Sequence, residues 1–270
     1  MSLELNTDKV LFDVSDKGVA TVTLNNPDKH NAFDDQIIAS LTQCFEHIAE
    51  RSDIKVMVLA SNGKSFSAGA DLGWMKRMAG YSYEQNLEDA NALAKMLHAL
   101  NFLPQPVIGK IQGAAFGGAV GLASCCDIVI ASEKASFCLS EVKLGLIPAT
   151  ISPYVVNAMG LKASRRYFMT AERFFATKAQ ALGLVDEVVA PEELSDEVTK
   201  FINLLLGNGP TAVKAAKKLA FDVAYKEINA ELMADTSERI ASIRVSEEGQ
   251  EGLTSFFEKR PASWIQSGEE

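Results

Sequence analysis

The sequence predicts an α/β fold with a helical C-terminal region. Three observations predict it. Short β-branched runs alternate with segments of helical period up to about residue 190. Turn residues punctuate them. Beyond about residue 151 helical patterns dominate, with one short strand among them.

The first strands are 10–14 (VLFDV) and 18–24 (GVATVTL), which alternate apolar and polar positions around the turn Ser15-Asp16-Lys17-Gly18, a hairpin signature. Asn25-Asn26-Pro27-Asp28 breaks the second strand. A helix over 33–50 follows, with Ile37, Ile38, Leu41, Phe45 and Ile48 on one face. Residues 55–60 (KVMVLA) form a buried strand, and a loop then leads into helical pattern through about residue 103, which Pro104 and Pro106 end. A strand at 107–111 (VIGKI) is expected to run on to Gly113. It precedes a glycine-rich helix start at Gly117-Gly118, running to about Cys126. Strands at 127–131 and near 136–139 come next, then a loop through Glu141 and Pro148. The strand 184–189, a helix over 191–206 and a helix opened by Pro210 complete the reading. We divide the chain into an α/β core at 1–200 and a helical region at 201–270.

The formal net charge of −9 argues against a nucleic-acid partner, which needs a basic face. No apolar run approaches a membrane span, and the first residues carry no targeting pattern, so a cytoplasmic protein is expected. Cys44, Cys125, Cys126 and Cys138 show neither C-x-x-C spacing nor companion histidines. They read as reduced, buried thiols, and no metal site is expected. A dinucleotide fold would place G-x-G-x-x-G after the first strand; here a hairpin stands there instead.

Three segments carry the chemistry. Ser67-Ala68-Gly69-Ala70-Asp71-Leu72 follows a strand and opens a helix, so backbone N–H groups at its end lack helical partners, and Asp71 is placed to cap it. Gly117 and Gly118 start a second helix with bare N–H donors, which suit a developing oxyanion. Glu141 stands in a largely apolar turn that would raise its pKa and suit it to proton transfer. Each segment also has a purely structural reading: an ordinary strand-to-helix turn, close helix–sheet packing, and a surface Glu beside Lys143.

Taken together, the three segments resemble the crotonase family, the enoyl-CoA hydratase/isomerase superfamily. The likeness runs through the hairpin, Pro27-Asp28-Lys29-His30-Asn31-Ala32-Phe33, 67–72, 111–127, 137–148, Ala179-Gln180-Ala181-Leu182-Gly183-Leu184-Val185, and Phe256-Phe257-Glu258-Lys259-Arg260-Pro261. The resemblance implies a crotonase-like ββα spiral core and an acyl-CoA substrate. Its thioester oxygen would sit between the N–H groups of Ala70 and Gly118, with Glu141 as catalytic acid and base. It implies CoA or substrate contacts around Lys29, His30, Ala32, Ser67, Ala68, Asp71, Leu72, Gly117 and Gly121. Lys259 and Arg260 would serve the CoA phosphates, with Lys76 and Arg77 as weaker candidates. It implies no cofactor beyond the coenzyme A of the substrate, and a homotrimer or dimer of trimers.

The departures matter. Many hydratases of the family carry a glutamate where this chain has Gly121, and a Gly-Gly-Thr-Gln-Arg run where it has Ala149-Thr150-Ile151-Ser152-Pro153-Tyr154. The vacancy at Gly121 reads either as the missing second acid or as room for substrate. The wording of 137–154 is similar to bacterial 3-methylglutaconyl-CoA and isohexenylglutaconyl-CoA hydratases, with Lys143, Ser152 and Tyr154 as candidates for a distal substrate carboxylate. An enoyl-CoA isomerase, and a non-catalytic acyl-CoA- or RNA-binding protein, are the alternatives.

Overall fold

A computed structural model describes residue 3 and residues 5–265. Its larger sheet holds six strands in the order β1-β2-β3-β4-β6-β9. These are β1 (Val10–Val14), β2 (Val19–Leu24), β3 (Val56–Ser61), β4 (Val107–Ile111), β6 (Ile128–Ser132) and β9 (Glu187–Val189). The β1–β2 hairpin is antiparallel and every later pairing is parallel. Helices α1 (Asp35–Ala49), α2 (Leu72–Met78) and α3 (Tyr83–Asn101) precede β4.

Both faces of this sheet are covered, which explains why β3 reads as an unbroken apolar run. Met57 and Leu59 point into the main core with Ile37, Leu41 and Phe45 of α1 and Leu97 and Leu100 of α3. Val56 and Val58 point the other way, to a smaller cluster with Ile108, Ile130, Leu194 and Val198. The last two belong to α7 (Leu194–Leu206), so the expected boundary at residue 200 falls inside a helix that seals the back of the sheet.

A second sheet of three short strands was not expected. β5 (Ala114–Phe116) pairs in parallel with β7 (Ser136–Cys138), which pairs antiparallel with β8 (Phe174–Phe175). The strand expected at 107–111 is β4, and Gly113, expected to end a strand, instead stands between β4 and β5, which begins the new sheet. Two isolated parallel bridges, Ser67 with Ala115 and Phe33 with Ala70, extend it on the other side. Helix α4 (Gly118–Ser124) follows β5 and packs on α5 (Ser152–Thr170), which Gly160 interrupts. The helical stretch expected up to residue 103 is two helices. Ser82 starts the second with a capping box, its Oγ accepting from the Gln85 N–H while the Gln85 side chain accepts from the Ser82 N–H.

After β8 come α6 (Ala176–Ala181), β9, α7, α8 (Pro210–Val223), α9 (Ala230–Val245) and α10 (Glu247–Glu258). Lys217 of α8 ties this helical region to the core through an ion pair to Asp127, 2.6 Å, and a bond to the Gln105 carbonyl, 3.1 Å. No described helix is long and apolar enough to cross a membrane.

Candidate active site

The small sheet gathers the three segments. Ser67, joined by a parallel bridge to Ala115 of β5, Ala115 itself and Phe137 of the neighbouring β7 lie side by side. Ala70 and Gly118 each follow three residues after the aligned position, and Glu141 four residues after. All three groups thus emerge from the C-terminal ends of adjacent parallel strands, where open α/β sheets present ligand sites.

Ala70 is held by its bridge. The Phe33 N–H donates to the Gly69 carbonyl, 2.9 Å, and the Phe33 carbonyl accepts from the Asp71 N–H, 3.0 Å. Those two bonds skip residue 70, so by strand alternation its N–H turns away from Phe33, to the side where Ser67 pairs with β5. Gly69 makes the crossing possible. Its φ is 89°, and a Cβ there would lie 2.8 Å from the Phe116 carbonyl oxygen.

Gly118 is the first residue of α4, so its N–H has no intrahelical acceptor. The preceding Gly117 donates to the Cys138 carbonyl, 2.8 Å, which locks the start of α4 onto β7. Because α4 spans only two turns, the N–H groups of its first turn matter here more than a long helix dipole.

Glu141 begins a 3-10 turn, Glu141–Leu144, just past β7. A Cβ on Gly117 would stand 3.5 Å from its Oε1, so the carboxylate lies against the start of α4. Its Oε2 is buried and has no hydrogen-bond partner. Burial raises its pKa above the usual carboxylate range, and a hydrogen bond from its own backbone N–H offsets only part of that. A half-buried carboxylate with one unpartnered oxygen, lying at the start of α4, can move a proton next to an oxygen that gains negative charge.

The other expected contacts distribute unevenly. His30, Asn31 and Ala32 form the wall facing the 67–72 segment: the Ala68 N–H donates to the His30 carbonyl, 2.9 Å, and His30 Nδ1 lies 3.2 Å from Ser65 Oγ. Ser67 is fully buried, its Oγ accepting from the Gly69 N–H. Leu72 is exposed. Asp71 is engaged within the protein: Oδ1 caps α2 by accepting from Gly73 and Trp74, and Oδ2 meets Lys29 Nζ at 3.1 Å. The Lys29 contact, with the two backbone donors, holds the Asp71 carboxyl below its ordinary value against the opposing effect of burial.

Other candidate positions meet neighbours of their own. The space beside Gly121, where many relatives carry a glutamate, is occupied: a Cβ there would lie 2.3 Å from Ile151 Cγ2. Tyr154 faces the far end of α4, lining a cavity of about 240 Å³ with Cys125, Cys126 and Asp127, rather than Glu141. Ser152 donates its hydroxyl to the Ala149 carbonyl, 2.8 Å. Arg260 is paired with Glu251 and Glu258, and Arg77 with Asp35. Lys259 is exposed at the end of α10, whose main neighbours are α9 and α8; among the described residues no hydrogen bond or ion pair ties it to the three site groups.

All four cysteines are free, and burial pushes the Cys44 thiol up to about 12 and those of Cys125 and Cys126 well above the ordinary range. Among the described residues no group of three His, Cys, Asp or Glu side chains is placed to hold a metal.

The family model for enoyl-CoA hydratase/isomerase matches residues 15–267. The chain belongs to the enoyl-CoA hydratase/isomerase family. It is 32% identical over 260 residues to the short-chain-enoyl-CoA hydratase of Clostridium acetobutylicum, covering 96% of this chain and 97% of that one. The crystal structure of an enoyl-CoA hydratase from Shewanella pealeana superposes with a TM-score of 0.92 at 49% identity, covering 96% and 97% of the two chains. An enoyl-CoA hydratase from Mycobacterium smegmatis gives 0.90 at 31% identity, covering 96% and 99%. The crotonase-type α/β architecture with its helical C-terminal region, and a family enzyme acting on acyl-CoA, follow from this membership.

Sequence reading missed two residues that shape the site. Phe33 was quoted only as part of a motif, yet it frames Ala70. Ile151 was noted only as a departure, yet it closes the space at Gly121. No local pattern announces either contact, because each joins segments about 30 residues or more apart.

Proposed function

We propose that the protein is an enoyl-CoA hydratase that adds water across the 2,3 double bond of an α,β-unsaturated thioester, with Glu141 as its one catalytic carboxylate. The observation that carries this is the Glu141 carboxylate, its Oε2 buried and without a hydrogen-bond partner, lying against the start of the helix that presents Gly118.

In this reading the thioester oxygen accepts from the N–H groups of Ala70 and Gly118. Glu141 takes a proton from water as the water oxygen bonds to the β-carbon, and the C=C electrons move onto the thioester oxygen as an enolate. Glu141 then returns the proton to the α-carbon and the carbonyl reforms. Water is consumed and the carboxylate ends as it began. Two fixed donors stabilise the enolate without reorganising, and loss of one such donor typically costs about 3–4 kcal/mol in the barrier. The raised pKa of Glu141 brings its proton affinity closer to that required at neutral pH.

CoA would lie along the 29–32 and 67–72 backbones, where Lys29, His30, Ala68 and Leu72 are exposed. For the acyl group we favour 3-methylglutaconyl-CoA or a related branched, carboxylated enoyl-CoA, on the wording of 137–154. With Tyr154 facing the far end of α4 and Ser152 bonded to the Ala149 carbonyl, Lys143, exposed two residues after Glu141, is the cation left for a distal carboxylate. The helical region carries Tyr225 at 94% and Phe256 at 77% exposure, which supports its burial in a homotrimer or dimer of trimers. Such an assembly would give Lys259 a neighbouring site to serve. The shielded, protonated thiols suit a reducing cytoplasm.

One observation keeps a second reading: Ile151 leaves the site a single carboxylate, and an isomerase moving one proton between two carbons needs no more. A turnover panel of 2-enoyl-CoAs with and without a distal carboxylate, beside a 3-enoyl-CoA, decides. The expected result is direct formation of a 3-hydroxyacyl-CoA from a 2-enoyl substrate, fastest with the carboxylated chain. Conversion of only the 3-enoyl substrate makes the enzyme an isomerase, and no turnover of any would overturn both.

A further inference from the structure

Neither oxyanion donor is steered by a side chain of its own, since one belongs to an alanine and the other to a glycine. Something else must fix how far apart they stand. Phe33 touches the surroundings of both. Its backbone brackets Ala70 through the bonds to Gly69 and Asp71. Its ring, 2% exposed, reaches Gly118: a Cβ there would lie 2.7 Å from Phe33 Cζ and 3.1 Å from Cε2. Gly118 does not have a positive φ. Its lack of a side chain therefore answers to the ring of Phe33 and not to its own backbone.

Phe33 is itself anchored on both sides. Two residues before it, Asn31 donates to the Asn62 and Ser65 carbonyls, 2.7 and 2.9 Å, and accepts from the Asn26 N–H, 2.8 Å. One residue after it, Asp34 accepts from the Ile37 N–H and caps α1. An aromatic ring has only two side-chain torsions, so a ring so held transmits position with little slack.

We infer that Phe33 is a positioning residue that sets the separation of the Ala70 and Gly118 N–H donors, its backbone fixing one and its ring bearing on the other. The inference rests on the proposed use of those donors to hold a thioester oxygen. Removing the ring leaves the Ala70 bridge intact but lets the start of α4 settle inward. The two donors then no longer point at one oxygen.

The test compares Phe33→Ala and Phe33→Leu with Ile38→Ala, a control at another buried residue nearby in the chain. Turnover is measured on 2-butenoyl-CoA or on the best substrate of the panel. The carbonyl stretching frequency of bound [1-¹³C]2-butenoyl-CoA is then read in each variant combined with Glu141→Gln. Phe33→Ala is expected to lower kcat by about ten-fold or more with KM changed far less, and to lose much of the shift to lower frequency that bound thioester shows. Phe33→Leu, which keeps most of the buried volume and carries the test should the alanine variant fail to fold, is expected to fall between. Ile38→Ala is expected to lower thermal stability while keeping the frequency shift. An unchanged shift and kcat in the folded Phe33 variants overturns the inference. Absence of any shift with Phe33 in place overturns the reading of the site itself.

Discussion

β3 of the large sheet is six residues long, pairs along its whole length with β2 and is buried on both faces. β5 of the small sheet is three residues long, pairs with β7 over those three residues and meets the 67–72 segment through one bridge. Both are parallel strands feeding helices, yet the longer one carries packing and the shorter one leads directly into the site. The large sheet draws its stability from apolar area. The small sheet holds few pairs, so its geometry depends on individual contacts: a glycine at close approach, a capped helix, a bridge of two hydrogen bonds. A change in the first should alter stability and spare chemistry; a change in the second should do the reverse.

The largest effect is expected at Glu141. Glu141→Gln should lower kcat by about 10²- to 10⁴-fold while acyl-CoA still binds in calorimetry. It should also abolish the acidic limb of the kcat/KM profile, which in the wild-type enzyme is expected above the ordinary Glu range. Stability should move the other way. Glu141 holds its proton more tightly folded than unfolded, so the wild-type protein loses stability as pH rises from the ordinary Glu value through the raised one. The glutamine variant lacks that slope and should melt at least as high as wild type at neutral pH. Full activity in this variant would remove Glu141 from the mechanism.

Gly118→Ala comes next. The new methyl meets the Phe33 ring, and the displaced donor should lower kcat by up to about 10²–10³-fold, read against circular dichroism that keeps its native form. Leu59→Ala, in the fully buried middle of β3, is the contrasting case: about 2–5 kcal/mol lost in denaturant unfolding, with kcat per folded molecule unchanged. A fall in kcat there would break the division between the sheets.

Gly121→Glu should overpack against Ile151, costing about 1–3 kcal/mol. Adding Ile151→Ala should recover part of the loss, and a double-mutant cycle should show coupling, since the two positions compete for one space. Only the double variant gives a second carboxylate room. The smallest effect is expected for Asp71→Ala, about 1 kcal/mol from the lost α2 cap. Asp71→Asn should retain most of that stability, leaving only the Lys29 contact to be lost.

The large sheet was legible in the sequence because its strands are long enough to show a pattern. Val56 to Leu59 face alternate sides, and only burial on both makes a continuous run. Of the small sheet only β7 was legible, as the strand expected near 136–139. Three residues at 114–116 and two at 174–175 cannot display a period, and two of its connections are single bridges. The break before α3 was readable in principle, since Ser82 followed by Gln85 is a capping-box spacing. The site segments themselves stood out as motifs, and the bridge from Ser67 to Ala115 and the β5–β7 pairing bring them together. What no motif carried was the contact of Ile151 with Gly121 or of Phe33 with Gly118, because pattern speaks for a segment and not for the neighbour it will meet.

The arrangement of the three candidate groups beyond neighbouring parallel pairings also bears on how such a protein can diverge. Each strand end leads into its own excursion of chain, so one can be rewritten while its neighbours stay in register. An acid carried after β5 rather than after β7 would approach the same carbonyl from the neighbouring strand end. The pair of backbone donors would be inherited unchanged, and new reactions could arise by moving the acid from one strand end to the next.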